Sequence, residues 1–348
     1  QPTQAIFNAV RSCGILAAKK DDSLSTTNLL LYALEHFLPI LSPVAISSLI
    51  REDEEAPSSQ ARTSTPLLDH LVDMCLDAEK NRSDPASTKT LLQVKTCIAS
   101  LLSRSDEIDE ELATIARSKV QPALTALRRK LVNMGRKVDL ALSRLLILAT
   151  QDCPENCELI ASSDVFIEQL LALAVPTAAL PQTPRKKKSS EADEVAPAQI
   201  EHQCVLLGLL TNILEHCPSK RTHVAQMKPN SSKDTAVTII STAFCRAMSS
   251  VTETEEPALG VLSGCLAVVV GLLIEGNHEA TADYRVACES ADQISDPVER
   301  LALVLDEFAN ANEQIRRCDG DEEDAGESEI EGQAGDMIRN LARSIRER

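Results

Sequence analysis

The sequence predicts an all-α fold assembled from repeated helix pairs, and three observations carry that prediction. One segment occurs twice, 64 residues apart: residues 142–161 read LSRLLILATQDCPENCELIA and residues 206–225 read LLGLLTNILEHCPSKRTHVA. Aligned without a gap, Leu142/Leu206, Leu145/Leu209, Leu146/Leu210, Cys153/Cys217, Pro154/Pro218 and Ala161/Ala225 are identical, and Ile160/Val224 correspond. The shared pattern is an apolar helix face, a Cys-Pro stop and the start of a second helix. An insertion at 181–197 separates the copies; without its 17 residues the period is 47. Armadillo and HEAT units repeat at about 40–47 residues. The second observation is composition. Hydrophobic residues make up 43% of the chain but aromatics only 2%, with no Trp, so Leu, Ala, Ile and Val must fill the core, which suits close helix-on-helix packing. Third, Gly is scarce (11 in 348 residues) and alternating β-branched runs are nearly absent, which argues against sheets. The predicted class is therefore an all-α, HEAT/armadillo-like helical-repeat solenoid with disordered insertions, an architecture that mostly binds other macromolecules.

The elements follow in order. Residues 4–18 and 26–41 read as helices, the second stopped near Pro43, and 45–50 as a short apolar turn. Residues 51–66, acidic and rich in Ser and Pro, read as a loop. Apolar residues at 67, 68, 71, 72, 75 and 76 make a helical stripe over 67–80. Asp84-Pro85 starts a helix over 86–103, because proline suits the first helical position. Residues 106–119 and 121–134 form the next pair, and 137–150, 156–162 and 164–174 the first copy of the repeat. The stretch PQTPRKKKSSEADEVAP at 181–197 has no hydrophobic period and reads as disordered. Helices resume at 198–217 and 220–227, break at 229–232, and continue at 234–250, 257–275, 280–291 and 297–317, the last with Leu301, Val304, Leu305 and Phe308 on one face. An acidic run follows, and 336–348 has the pattern of a short amphipathic helix. These elements group into helical lobes at 1–180 and 198–318, the disordered insertion at 181–197, an acidic disordered segment at 319–335 and a terminal helix at 336–348.

The formal net charge is −17. A nucleic-acid binder is expected to be basic, so direct nucleic-acid binding by the whole surface is not expected; the negative field favours a basic partner surface. Residues 319–334 alone hold eight acidic side chains and no base. The 11 Cys are scattered, mostly on apolar helical faces, as expected of small hydrophobes in a reducing compartment. No segment reads as a signal peptide, and the most apolar run, 258–274, falls short of the roughly 18 residues a membrane span needs.

No catalytic constellation is present. The phosphate-cradling GxxxxGK loop, HExxH and GxSxG are all missing, so the expectation is a non-enzyme without cofactor, metal or small-molecule substrate. His202, Cys204, His216, Cys217 and His223 lack the paired spacing of a zinc site. Cys153 and Cys157 flank a short turn, but Cys157 corresponds to Arg221 in the second copy, which marks a surface position rather than a redox pair. Arg185, Lys186, Lys187 and Lys188 form an exposed basic cluster of the kind that directs nuclear import, beside the phosphorylatable Thr183, Ser189 and Ser190. A second basic cluster, Arg128, Arg129, Lys130, Arg136 and Lys137, sits in an acid-free stretch; the simplest reading is that Leu124, Leu127 and Leu131 are buried and the charges solvated.

The repeat segments also resemble a known family. VLLGLLTNILEHCPSKRTHV at 205–224 is similar to the signature helix of the wings-apart-like family of cohesin release factors, at Leu207, Gly208, Leu209, Leu210, Asn212, Leu214 and Glu215. LSRLLILATQDCPEN at 142–156 resembles another of its helices at Arg144, Leu145 and Leu146. ALGVLSGCLAVVVG at 258–271 resembles a third at Ala258, Leu259, Leu262, Gly264, Cys265 and Leu266, and LALVLDEF at 301–308 resembles the last helix of that domain. The order of the four blocks agrees, including a variable insertion between the first two. The long polar N-terminal region of animal members, with its Phe-Gly-Phe-type motifs, is not in this sequence.

The resemblance implies a non-catalytic HEAT-like domain that contacts the HEAT-repeat subunits and the ATPase head of cohesin and promotes its release from chromatin. It implies a nuclear, chromatin-associated protein with a role in sister-chromatid cohesion. Asn212, Glu215, Lys220 and Arg221 are the polar remainder of the signature segment and are the expected docking residues. Glu253, Glu255 and Glu256, ahead of the Gly-Cys-Leu helix, are a further expected contact for a basic partner. The alternative is a generic armadillo/HEAT adaptor for another nuclear complex.

Overall fold

The computed structural model describes residues 23–51, 66–81, 85–133, 140–175, 195–229, 232–254, 257–291, 296–319 and 333–347. Among these residues are sixteen α-helices, one 3-10 turn and no strand, an all-α helical-repeat fold. The predicted helix at 4–18, most of the loop at 51–66, residues 181–194 of the insertion and residues 320–332 of the acidic segment lie outside the described residues. The chain divides into two units, Gln1–Ser162 and Ser163–Arg348.

In the first unit, α1 (Ser23–Phe37) runs into a 3-10 turn, Leu38–Ile40. Helix was expected to 41, but Pro39 disfavours α geometry at Leu38 and lacks a donor of its own. The expected turn at 45–50 is a helix, α2 (Pro43–Ile50). Ser42-Pro43 is a start signal rather than a stop: the Ser42 hydroxyl accepts from Ala45 N at 3.3 Å and Pro43 takes the first helical position. The remaining helices are α3 (Leu67–Lys80), α4 (Pro85–Asp106), α5 (Glu110–Lys119), α6 (Gln121–Asn133), α7 (Leu140–Thr150) and α8 (Pro154–Ala161). Expected from 106, α5 instead begins at Glu110, because Asp109 caps the Leu112 N–H. Glu110 and Glu111 in its first turn and Arg117 and Lys119 in its last match the helix dipole. The long helix α4 is the centre of this unit. Leu91, Val94, Cys97, Ile98, Leu101 and Leu102 are buried along it, and α1, α2, α3, α5 and α7 pack around it.

The second unit contains α9 (Asp164–Ala174), α10 (Val195–His216), α11 (Pro218–Gln226), α12 (Ala236–Thr254), α13 (Pro257–Ile274), α14 (His278–Ala291), α15 (Pro297–Asp319) and α16 (Gln333–Arg346). Because α9 packs on α10, it groups with this unit rather than with the expected lobe at 1–180. Helix α10 starts at Val195, so Pro197, expected in the disordered insertion, lies in its first turn, where N–H groups have no intrahelical acceptor to lose. The second unit is built around α13, with α10, α11, α12, α14, α15 and α16 against it. This surround explains why α13 is apolar on every side. The run at 258–274 falls short of a membrane span by sequence; with Pro257 the helix reaches 18 residues and is long and apolar enough to cross, but 72% of that window is buried inside the protein.

The duplicated segment folds the same way twice. Six of its seven paired positions are buried in both copies, and the seventh, Pro154/Pro218, is exposed in both and opens a helix in both. A third copy, hidden in the sequence pattern, follows 60 residues on at the α13–α14 junction. In each copy a side chain reaches back seven residues to a carbonyl at the end of the preceding helix. Cys157 Sγ donates to Thr150 O (3.3 Å) and Arg221 Nε to Leu214 O (2.7 Å), and Thr281 Oγ1, which donates chiefly to Asn277 O (2.8 Å), also lies 3.4 Å from Ile274 O. These bonds add a side-chain partner at each helix end, where Thr150 O and Ile274 O also accept from the Cys153 and Asn277 N–H groups and Leu214 O has Arg221. They also correct the reading of Cys157 as a surface residue: the thiol is fully buried, because its short side chain can reach the carbonyl only from inside.

The equivalent turn residues Asp152 and Gly276 have φ of 45° and 71°, the left-handed geometry that favours glycine after a helix end. Asp152→Gly is therefore expected to stabilise the protein by about 0.5–1 kcal/mol, a part of the roughly 1–2 kcal/mol that left-handed geometry costs an L-residue. The substitution also removes a carboxylate that, after burial itself, helps to push the Asp106 carboxyl up. Urea unfolding of the two proteins side by side checks this; a lower midpoint for the variant would contradict it.

Candidate partner-binding site

Three helix ends and one helix face of the second unit enclose a cleft of about 410 Å³. Glu215 comes from the last turn of α10, Arg221 from α11, Leu272 from α13 and Glu275 from just beyond its end. The face of α16 supplies Asp336, Met337 and Leu341. The apolar floor is Leu272, Met337 and Leu341; the rim is three carboxylates, one guanidinium and the Asn340 amide. Arg221 is held in place from two sides, by Leu214 O and by the Glu275 carboxylate. Such a cleft suits a cationic or amide-bearing side chain with an apolar stem.

The cleft brings together two of the expected docking residues, Glu215 and Arg221, and changes the role of one. Arg221 was expected to be polar remainder free for a partner. It is instead a structural residue, with its side chain 17% exposed, because it caps one helix and bridges to the end of another. Arg221→Ala is expected to cost about 1–3 kcal/mol, since it leaves a carbonyl and a carboxylate poorly paired. Arg221→Lys recovers only part of this, because one ammonium cannot reproduce the forked contact. Thermal melts of both variants check the order; equal stability of wild type and Arg221→Ala would refute it.

Lys220 lies outside the cleft lining. Its Nζ is 3.7 Å from Asp164 Oδ1, and His223 Nε2 is 3.3 Å from the same oxygen. Asn212 is half-buried on α10 and does not line the cleft. Glu253 belongs to the last turn of α12, not to the start of α13. Its side chain, and Glu255 and Glu256 altogether, lie outside the described residues, as do Arg185, Lys186, Lys187 and Lys188. Arg128, Arg129 and Lys130 are on α6 with side chains not described; Leu124 and Leu127 on the same helix are buried. Among the described residues, no three His, Cys, Asp or Glu side chains gather as a metal ion would require.

Sequence reasoning missed Glu275, Asp336, Met337 and Leu341. For the α16 residues a signal existed: Ile338, Leu341, Ala342 and Ile345 follow the spacing of a buried helical stripe. For Glu275 no signal existed, since its importance comes from a partner 54 residues away. No protein-family model matches this chain, and no curated protein matches it.

Proposed function

We propose that the chain is a non-catalytic helical-repeat regulator that binds cohesin subunits and promotes release of cohesin from chromatin. The observation that carries this reading is the order of the four blocks resembling the wings-apart-like family. Three of them, on α10, α13 and α15, meet in one core: Leu209, Leu210, Leu262, Leu266, Leu301 and Leu305 are all buried there, with α13 packed against both α10 and α15. Partner contact then falls to the half-buried polar side chains around that core, Glu215 at the cleft and Lys220 beside it. Binding the open form of the cohesin ring more tightly than the closed form would shift its population toward opening, with the ATPase supplied by the partner. The basic run Arg185 to Lys188 supports a nuclear location.

The runner-up, an adaptor for another nuclear complex, is favoured by the same burial: core leucines report a fold more directly than a partner. A pulldown from nuclear extract with the full chain, read by mass spectrometry, separates the two. Recovery of cohesin's HEAT-repeat and ATPase subunits, reduced by Glu215→Lys in a variant with an unchanged melting temperature, supports the proposal. Recovery of a different complex with cohesin absent rejects it.

A further inference from the structure

Cys245 on α12 and Cys288 on α14 touch sulfur to sulfur, Sγ to Sγ at 3.1 Å. The two are 43 residues apart in the chain and meet because α12 and α14 pack against each other. Both are free thiols in the core, 2% and 0% exposed. A disulfide is about 2.05 Å long, so the sulfurs need to approach by only about 1 Å. Side-chain rotation supplies that without separating the helices.

Tyr284 sits one turn before Cys288 on the same face of α14. Its ring is buried, and its hydroxyl donates to Pro297 O at 2.7 Å, at the start of α15. Burial, and then the Cys288 and Cys245 sulfurs nearby, push that hydroxyl up. Another side of α14 faces solvent, with Arg285, Val286 and Glu289 exposed. The thiols are thus shut inside the packed unit and become reachable when α14 opens locally. In a reducing compartment disulfides are mostly transient and serve redox sensing or catalysis.

We propose that Cys245 and Cys288 are an oxidant-responsive latch, in which hydrogen peroxide converts the thiol contact into a disulfide that locks α14 to α12. When α14 opens, one thiol loses its proton. The thiolate attacks one oxygen of hydrogen peroxide and breaks the O–O bond, giving a sulfenic acid and hydroxide, which takes up the proton as water. The other thiol then displaces water from the sulfenic acid; the S–O bond breaks and the S–S bond forms. In total two thiols lose two electrons and two protons, and one peroxide is reduced to two waters. The new bond closes a loop that contains all of α13, and it suppresses the local opening that admitted the oxidant.

The test exposes the folded full chain to hydrogen peroxide, removes the peroxide with catalase, and alkylates with iodoacetamide in urea. Cys245 and Cys288 should escape alkylation until dithiothreitol is added, and peptide mapping should recover them joined, lighter by two hydrogens. The cross-link should raise the melting temperature by roughly 5–10 °C, as closing a loop of this length does. Amide exchange in α14 should slow on the order of tenfold. Tyrosine emission should fall and recover with dithiothreitol, since the chain has no Trp and only two Tyr, one of them Tyr284 beside the new bond. Cys245→Ser and Cys288→Ser should each abolish the cross-link and these changes. Three results would overturn the proposal: both thiols alkylated in urea after peroxide has oxidised the less buried Cys204, Cys245 joined to a different cysteine, or an oxidised protein that melts lower than the reduced one. Mapping the unaltered chain needs no variant, so it decides even where a serine variant misfolds.

Discussion

Truncation ahead of Gln333 is expected to cost the second unit on the order of 5 kcal/mol, from three large aliphatic side chains at about 1.5–3 kcal/mol each. Those side chains are Ile338, Leu341 and Ile345, all at most 5% exposed, with Ala342 fully buried beside them. They seat α16 on α15 and on α13. The loss is felt on both sides, because the faces of α13 and α15 beneath them become exposed. Terminal units with a polar outer face perform this covering role in helical-repeat proteins. Arg339 pairs with Glu313, and Arg346 with Glu299 and Asp306, around the rim. These pairs are solvent-accessible and screened by salt, so the burial must dominate. Urea unfolding followed by circular dichroism should show a clearly lower midpoint in the truncated chain, and raising the salt concentration should move the wild-type midpoint little. An unchanged midpoint after truncation would mean that α16 contributes no cover.

The second large effect is expected at Gly264, inside α13. An added Cβ would lie 2.1 Å from Phe308 Cδ2 and 2.5 Å from Phe308 Cγ. Because Cγ is fixed close to the α15 backbone, turning the ring cannot remove the clash, and α13 and α15 must separate. Gly264→Ala is thus expected to destabilise by about 1–3 kcal/mol, as overpacking of a filled core does, even though alanine improves helix propensity by about 1 kcal/mol. Gly260, one turn earlier, has nothing within 4 Å of an added Cβ, so Gly260→Ala should stabilise. Opposite signs at two glycines of one helix separate packing from propensity. Adding Phe308→Leu to Gly264→Ala should restore part of the loss, and a double variant no better than Gly264→Ala alone would place the strain elsewhere.

How much was legible can be judged from particular residues. Leu142, Leu145 and Leu146 and their counterparts Leu206, Leu209 and Leu210 were readable as core because a 3.6-residue period directs side chains to one face. The Cys-Pro stops were readable because proline marks a first helical turn. The third copy at the α13–α14 junction escaped because it keeps no Cys-Pro and shares only the geometry: Thr281 stands for Arg221 and Cys157, and Gly276 for Asp152. Three chemically different side chains serve one backbone carbonyl, so residue identity conceals the repeat. Arg221 was legible as polar but not as internal, since Leu214 O and Glu275 are what make it so. The Cys245–Cys288 contact joins residues on two separate helices and leaves no trace in either local pattern.

From the amino-acid order alone came the all-α class, most helix positions and the two matching copies, because periodicity, caps and prolines act within a few residues of one another. Tertiary packing decided which helix became the centre of each unit, that α16 docks on α13 and α15, which charges are consumed internally and which thiols meet. Those outcomes depend on contacts between residues dozens of positions apart, where burial and charge pairing are set by neighbours that a linear pattern does not name.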